Sequence, residues 1–154
     1  MHRRKRALTA LTALTVAVPA LVGCGGGSAS IGQPAEKAKA KRVIEVRQSD
    51  ASSFEPKLIV VKPSETVTLQ ITNTGKRVHE FFLGDDDDQK DHQKEMSGAA
   101  APMNMPDRSN ALSIEPGATE ELTWTFPKRG TITFGCHQPG DYAKGMKGEV
   151  KVSE

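Results

Sequence analysis

The chain has few cysteines, histidines and aromatic residues. Its 154 residues include two cysteines, four histidines, one tryptophan and one tyrosine. Two cysteines are too few for a disulfide-dense fold. The sequence also lacks a Gly-rich phosphate loop, a His-Glu-x-x-His zinc motif and a serine or cysteine nucleophile signature. We therefore expect a protein that is not an enzyme.

No apolar run has the length of an ordinary transmembrane helix. The run from Ala7 to Val22 follows a basic segment, Met1-His2-Arg3-Arg4-Lys5-Arg6, in the order typical of a secretory signal. We predict a signal peptide over residues 1–23. Without its four basic residues the chain has 17 Lys and Arg against 19 Asp and Glu, a net charge of about −2. This balance indicates no nucleic-acid partner.

The end of the apolar run, Leu21-Val22-Gly23-Cys24, resembles the bacterial lipobox. The resemblance implies that the Cys24 thiol is lipidated after cleavage and anchors the protein to a membrane of the cell envelope. The alternative is an ordinary cleavage site with an incidental cysteine. The Gly/Ser-rich and Ala/Lys-rich stretch over 24–42 predicts a flexible tether, so we place the folded domain at 43–154.

Hydrophobic residues in the domain recur with a period of two. Val67, Leu69 and Ile71 alternate with polar residues, as do Leu122, Trp124 and Phe126. Alternation of this kind is typical of half-buried strands, and short strands between turn signals indicate an all-β sandwich. Besides the two strands that contain these alternating residues, we predict strands at Val43 to Gln48, Lys57 to Lys62, Val78 to Leu83, Leu112 to Ile114, Thr131 to Cys136 and Glu149 to Val152.

The segment 84–110 is a long polar excursion between strands. It opens with the acidic run Asp85-Asp86-Asp87-Asp88, and we predict helical structure around Gln89 to Met96. On a helix, His92 and Met96 share one face, where a nitrogen and a thioether sulfur could hold a soft cation. The alternative is a solvated acidic loop with incidental methionines, among them Met103 and Met105.

The last strands enclose a loop rich in potential metal ligands. Cys136, His137, Asp141 and Met146 lie within eleven positions, and a thiolate, an imidazole and a thioether suit copper. Because Cys24 is assigned to the lipid anchor, Cys136 has no cysteine partner. Strand alternation places the Cys136 side chain on the inner face and turns His137 the other way.

These residues resemble the cupredoxins, the small blue-copper proteins that include azurin and plastocyanin. The resemblance covers roughly residues 43–154 and implies a Greek-key β-sandwich. It places His79 as the mid-sequence histidine ligand, Cys136 as the thiolate and Met146 as the axial thioether. Where the family has its second histidine, after Pro139-Gly140, this chain has Asp141.

The resemblance implies one copper ion held by His79, Cys136 and Met146, with Asp141 or His137 as a possible further contact. It also implies electron transfer or copper handling, with a redox partner or a copper-transfer protein. The order His79-Glu80-Phe81, an acidic segment and then a histidine before a methionine is similar to the copper-resistance branch of the family. The alternative is a metal-free sandwich that serves as a binding or assembly module.

Overall fold

The computed structural model describes residues 31–97 and 108–154. These ranges contain the short 3-10 helix Lys37–Lys39 and the following elements in chain order: β1 Gln33–Pro34, β2 Val43–Ser49, β3 Ser53–Glu55, β4 Leu58–Val61, β5 Thr66–Asn73, β6 His79–Gly84, α1 Asp86–Met96, β7 Ala111–Ile114, β8 Thr119–Thr125, β9 Gly130–Gly135 and β10 Lys147–Val152.

The strands form two five-stranded sheets that pack as a sandwich. One sheet has the order β1-β8-β5-β2-β3, and the other has the order β4-β10-β9-β6-β7. The pairs β2–β5 and β4–β10 are parallel, and the remaining neighbours are antiparallel. The predicted all-β sandwich is confirmed.

The pairing of β5 with β8 shows how the alternating pattern becomes a sheet with two different faces. On the inner face, Val67 pairs with Trp124 and Leu69 with Leu122, and all four side chains are buried. On the other face, threonine hydroxyls meet across the strands at 2.7–2.8 Å, as in the pair Thr66 and Thr125. Cross-strand pairs of this kind fix the register of an antiparallel ladder.

Aromatic rings fill the space between the sheets. Phe81 of β6 stacks on Phe134 of β9 with ring centroids 5.1 Å apart, and Phe54 packs edge-on against both rings. All three rings are buried. Because Phe134 lies two residues before Cys136, this packing fixes the end of β9 from which the metal-ligand loop starts.

The packed part of the domain includes residues before Val43, back to Ile31, the first residue that the structure describes. Ile31 is buried, and its carbonyl oxygen accepts a hydrogen bond of 2.7 Å from Trp124 Nε1. Strand β1 then pairs with β8. The flexible tether predicted over 24–42 therefore does not extend through residues 31–42, which are anchored to the sheet. The predicted signal peptide at 1–23 and the Cys24 lipidation site lie outside the described residues.

Helix α1 starts at the acidic run. The Asp85 side chain accepts hydrogen bonds from the backbone N–H groups of Asp87 and Asp88, and the Asp88 side chain accepts one from Asp85 N. This capping box and the negative charges near the positive end of the helix dipole stabilise the first turn. The helix predicted around Gln89 to Met96 is confirmed and begins three residues earlier. Among the described residues, no helix has the length and hydrophobicity needed to span a bilayer.

One end of the sandwich gathers the ends of four strands. There β2 leads into Asp50, β6 begins at His79, β9 leads into Cys136, and β10 begins just after Met146. Antiparallel pairing of β9 with β10 and of β6 with β9 brings three of these termini together. The end of β2, in the other sheet, joins them through the contact of Asp50 with His79.

Candidate metal centre

The loop between β9 and β10 folds back on itself and brings Asp141 to Cys136. Cys136 N donates to Met146 O at 3.1 Å, which continues the β9–β10 ladder by one pair. Asp141 N donates to Gln138 O at 2.9 Å, and Asp141 O accepts from Met146 N at 3.0 Å. Gly140, with a φ of 85°, makes the turn in a conformation that favours glycine.

Three ligand atoms of different chemistry meet at this end of the sandwich. His79 Nδ1 lies 3.2 Å from Asp141 Oδ2 and 3.8 Å from Cys136 Sγ, and Asp141 Oδ2 lies 3.8 Å from Cys136 Sγ. All three residues are fully buried. Within the described ranges, they are the one group of three or more His, Cys, Asp and Glu residues with the spacing of a metal site.

The triangle formed by the three atoms has the size that a metal ion requires. A point equidistant from corners separated by 3.2, 3.8 and 3.8 Å lies about 2.1 Å from each of them. First-row ions such as zinc bind protein nitrogen, oxygen and sulfur at about 2.0–2.3 Å. The side chains therefore stand in a metal-binding arrangement.

A carboxylate orients the His79 ring. Asp50 Oδ1 lies 3.0 Å from His79 Nε2, and hydrogen bonds from Lys76 N, His79 and Arg77 N hold the pKa of Asp50 below its usual value. An ionised carboxylate accepts a hydrogen bond from Nε2–H, which leaves the Nδ1 lone pair directed at Cys136 and Asp141. A carboxylate behind a histidine ligand is the usual way to fix its tautomer.

The two oxygens of Asp141 have different partners. Oδ1 accepts hydrogen bonds from Ser52 Oγ at 3.0 Å and from Arg77 Nη2 at 3.2 Å. Oδ2 faces His79 and Cys136, with Arg77 Nη2 more distant at 3.4 Å. Asp141 thus presents one oxygen to the centre while protein donors hold the other. Asp is shorter than His, and these contacts show that it nevertheless reaches the other two candidate ligands.

Burial controls the protonation of Cys136. Desolvation raises the pKa of the thiol to about 12 although Glu80 N–H donates to Sγ at 3.3 Å. Without a metal the side chain is a neutral thiol at physiological pH. A metal ion binds the thiolate, so binding at Cys136 releases a proton.

Met146 is fully buried and belongs to the hydrophobic core. Its carbonyl oxygen accepts the hydrogen bond from Cys136 N, so the residue lies beside the thiolate candidate. This placement is compatible with the axial role implied by the sequence resemblance.

The His137 ring occupies a different environment from the three clustered ligand atoms. Nε2 lies 2.7 Å from Gln89 Oε1, Nδ1 lies 3.0 Å from the Gln93 side chain, and the ring stacks on Tyr142. Burial and the charge of His92 lower the pKa of His137 to about 4, so the imidazole is neutral. This orientation agrees with the strand alternation that turned His137 away from Cys136.

His92 and Met96 share the buried face of α1, as predicted. Both His92 nitrogens face carboxylates, with Nε2 2.6 Å from Glu80 and Nδ1 3.1 Å from Glu95. Burial opposes the charge on His92, but these carboxylates outweigh it and raise the His92 pKa. The ring is therefore part of an ion pair, and the one grouping of three or more His, Cys, Asp and Glu residues with metal-site spacing among the described residues does not include His92. Met103 and Met105 lie outside the described residues.

Sequence patterns alone did not identify four residues that surround the candidate ligands: Asp50, Ser52, Arg77 and Glu80. Glu80 carried a signal, because it is a charged residue in a strand whose other members are largely apolar. The other three occupy loops, where polar residues are ordinary and nothing local indicates which one faces inward.

Comparisons with known proteins find copper-binding relatives and structural neighbours. Residues 40–153 match the profile of the copper binding proteins of the plastocyanin/azurin family. The copper-resistant cuproprotein CopI of Pseudomonas aeruginosa is 38% identical, with 80% of this chain and 82% of the relative covered. CopI of Rubrivivax gelatinosus is also 38% identical, with coverages of 79% and 72%. The structure of reduced auracyanin from Roseiflexus castenholzii superposes with a TM-score of 0.64 at 27% identity, covering 75% of this chain and 99% of auracyanin.

Proposed function

Because the chain belongs to the plastocyanin/azurin family of copper-binding proteins, we propose that it binds one copper ion between His79, Cys136 and Asp141. Met146, which is buried beside Cys136, would supply a thioether sulfur. The observation that carries this proposal is the triangle of ligand atoms, with sides of 3.2–3.8 Å, at a fully buried position. Imidazole, thiolate and thioether donors favour copper over harder ions such as magnesium or calcium.

Copper handling is the role that the ligand set favours. A carboxylate in place of an imidazole departs from the donor set of blue electron-transfer centres. The CopI relatives carry a name that refers to copper resistance. In this role the protein receives copper from, or delivers it to, a copper-transfer protein, and tight binding matters more than rapid redox cycling.

Electron transfer is the second candidate, and one observation favours it. Hydrogen bonds within the protein hold two of the candidate ligands: Asp50 fixes the His79 ring, and Ser52 fixes the Asp141 carboxylate. A centre fixed in this way reorganises little when copper gains or loses an electron. A redox partner would then dock close to this end of the sandwich.

Metal analysis and optical spectroscopy of the purified protein test both roles. Bound copper with an intense Cu(II)–thiolate absorption and rapid, reversible reduction supports electron transfer. Bound copper without reversible reduction supports handling. Absence of copper uptake in either oxidation state would overturn both roles. The remaining hypothesis would then be a metal-free sandwich that serves as a binding or assembly module.

We propose that the protein acts in the cell envelope as a lipoprotein. The support is the predicted signal peptide and its lipobox-like end at Cys24. Replacement Cys24→Ser is expected to move the protein from the membrane fraction to the soluble fraction of fractionated cells, because the anchoring acyl chains are lost. Persistence of Cys24→Ser in the membrane fraction would contradict lipid anchoring at this residue.

Replacement Asp50→Ala is expected to weaken copper binding about 10–100-fold, because His79 loses the acceptor that fixes its tautomer. Asp50 is partly exposed, but it accepts hydrogen bonds from Lys76 N and from the buried His79 ring, so the metal-free variant should also unfold at a lower urea concentration than the wild type. Copper affinity is measured by competition with a chelator. The matched control is Asp91→Ala, which removes an exposed carboxylate paired with Lys94 on α1. Equal affinities of both variants would show that Asp50 does not orient the ligand.

A further inference from the structure

The unusual residue in the centre is Asp141, and its charge has a consequence for the oxidation state of bound copper. We infer that Asp141 is a specificity-determining residue that makes the centre select divalent ions, so that copper is held as Cu(II) in preference to Cu(I). This inference rests on the proposed copper site and specifies which form of the ion that site takes.

The first argument is the charge of the candidate ligands. Bound to a metal, Cys136 contributes a thiolate, Asp141 contributes a carboxylate, and His79 contributes a neutral imidazole. The two negative charges balance a divalent ion and leave one net negative charge with a monovalent ion. All three residues are fully buried, and an unbalanced charge is costly to bury. A divalent ion is therefore the better match.

The surrounding charges do not reverse this balance. Arg77 contacts Asp141, but its side chain is half exposed, and its Nε also lies 3.7 Å from Asp50 Oδ1. Arg77 therefore offsets part of the Asp141 charge, but it shares its own charge with Asp50, and solvent screens its half-exposed guanidinium. The carboxylate of Glu80, a residue whose backbone N–H contacts the candidate ligand sulfur, is paired with His92 at 2.6 Å. The ligands themselves thus carry most of the negative charge that faces the ion.

The second argument is that the carboxylate cannot easily leave the centre. Ser52 and Arg77 both bind Asp141 Oδ1, and the backbone N–H and C=O of Asp141 are held by Gln138 and Met146. Cu(I) prefers soft sulfur and nitrogen donors. In this centre a monovalent ion would have to keep a fixed, hard oxygen beside it. A set of nitrogen, sulfur and oxygen donors is instead well suited to divalent ions such as Zn(II) and Co(II).

The reduction potential of the copper-loaded full chain tests the inference. Replacement Asp141→Asn keeps the shape of the side chain and removes its charge. We expect the preference for Cu(II) over Cu(I) to fall at least about tenfold, which raises the potential by about 59 mV for a one-electron couple. The matched control is Asp91→Asn, which removes the same charge from the exposed face of α1 and should leave the potential unchanged. An Asp141→Asn potential equal to or below that of the wild type would overturn the inference.

A measurement on the wild-type protein does not depend on the folding of a variant. The protein is loaded with Co(II), whose thiolate complexes absorb visible light, and is titrated with buffered Cu(II) or buffered Cu(I). We expect Cu(II) to displace Co(II) at a lower free concentration than Cu(I). Displacement by Cu(I) at an equal or lower concentration would refute divalent selectivity while leaving the copper site intact. Failure to bind either copper ion would instead refute the proposed function.

Discussion

Replacement Cys136→Ser is expected to reduce copper affinity at least about a thousandfold, or about 4 kcal/mol. The thiolate is the strongest donor that the centre offers to copper, and a serine hydroxyl neither ionises at neutral pH nor forms a soft bond to the metal. Any Cu(II)–thiolate absorption should disappear as well. Chelator competition and the visible spectrum of the copper-loaded protein measure the two effects.

The fold should survive this replacement. A serine hydroxyl at position 136 remains able to accept the hydrogen bond that Glu80 N–H donates to Sγ, so we expect the metal-free variant to lose about 1–3 kcal/mol of unfolding free energy. The matched control is Ile132→Val, on the inner face of strand β9 that leads into Cys136, which costs about 0.5–1.5 kcal/mol. Ile132→Val should bind copper normally. Unaltered copper affinity in Cys136→Ser would refute the assignment of the thiolate.

The longer strands could be predicted from the sequence because each has one buried face. In β5, Val67, Leu69 and Ile71 alternate with polar residues, and the structure buries these three side chains completely. The strands β1 and β3 have two and three residues, which is too short for a period of two to be recognised. Their positions depend on partners elsewhere in the chain.

The early start of the domain has no local signal. Ile31 is an isolated apolar residue in a small and polar stretch, and its burial depends on Trp124, 93 residues further along the chain. Contacts of such sequence separation are decided by the tertiary fold. A boundary drawn from composition alone therefore falls too late.

In the candidate site, too, sequence identified some residues and only the structure identified the others. The order Cys136, Asp141, Met146 lies within one loop, so sequence comparison identified these residues together with His79. The residues that orient them come from other loops: Asp50 and Ser52 follow β2, and Arg77 precedes β6. Sequence does not reveal that Arg77, rather than the adjacent Lys76, contacts Asp141. Only the packing of the two sheets brings these loops together.

Replacement Glu80→Ala is expected to destabilise the metal-free protein by about 3–5 kcal/mol, the largest effect on stability that we predict. The buried Glu80 carboxylate binds two groups, His92 Nε2 at 2.6 Å and His137 N at 2.9 Å. Its removal leaves the His92 ring without its buried partner and a buried backbone N–H without an acceptor. Urea unfolding of the metal-free protein measures the loss without a contribution from bound metal.

Glu95 provides a matched control because it contacts the other nitrogen of the same ring. Glu95 Oε2 lies 3.1 Å from His92 Nδ1, but the Glu95 side chain is 49% exposed whereas that of Glu80 is fully buried. Solvent screens the exposed pair, so Glu95→Ala should cost less than about 1 kcal/mol. Equal losses in the two variants would show that burial does not determine the strength of this ion pair.

The cost of Glu80→Ala should also depend on pH, with a sign fixed by His92. Although burial lowers the His92 pKa, Glu80 and Glu95 raise it overall above its ordinary value of 6.5. The folded protein therefore binds this proton more tightly than the unfolded chain does. The resulting stability is fully present below pH 6.5 and is lost as the pH rises through the raised pKa. The difference in unfolding free energy between wild type and Glu80→Ala should shrink over that range, and a difference that grows would contradict a charged Glu80–His92 pair.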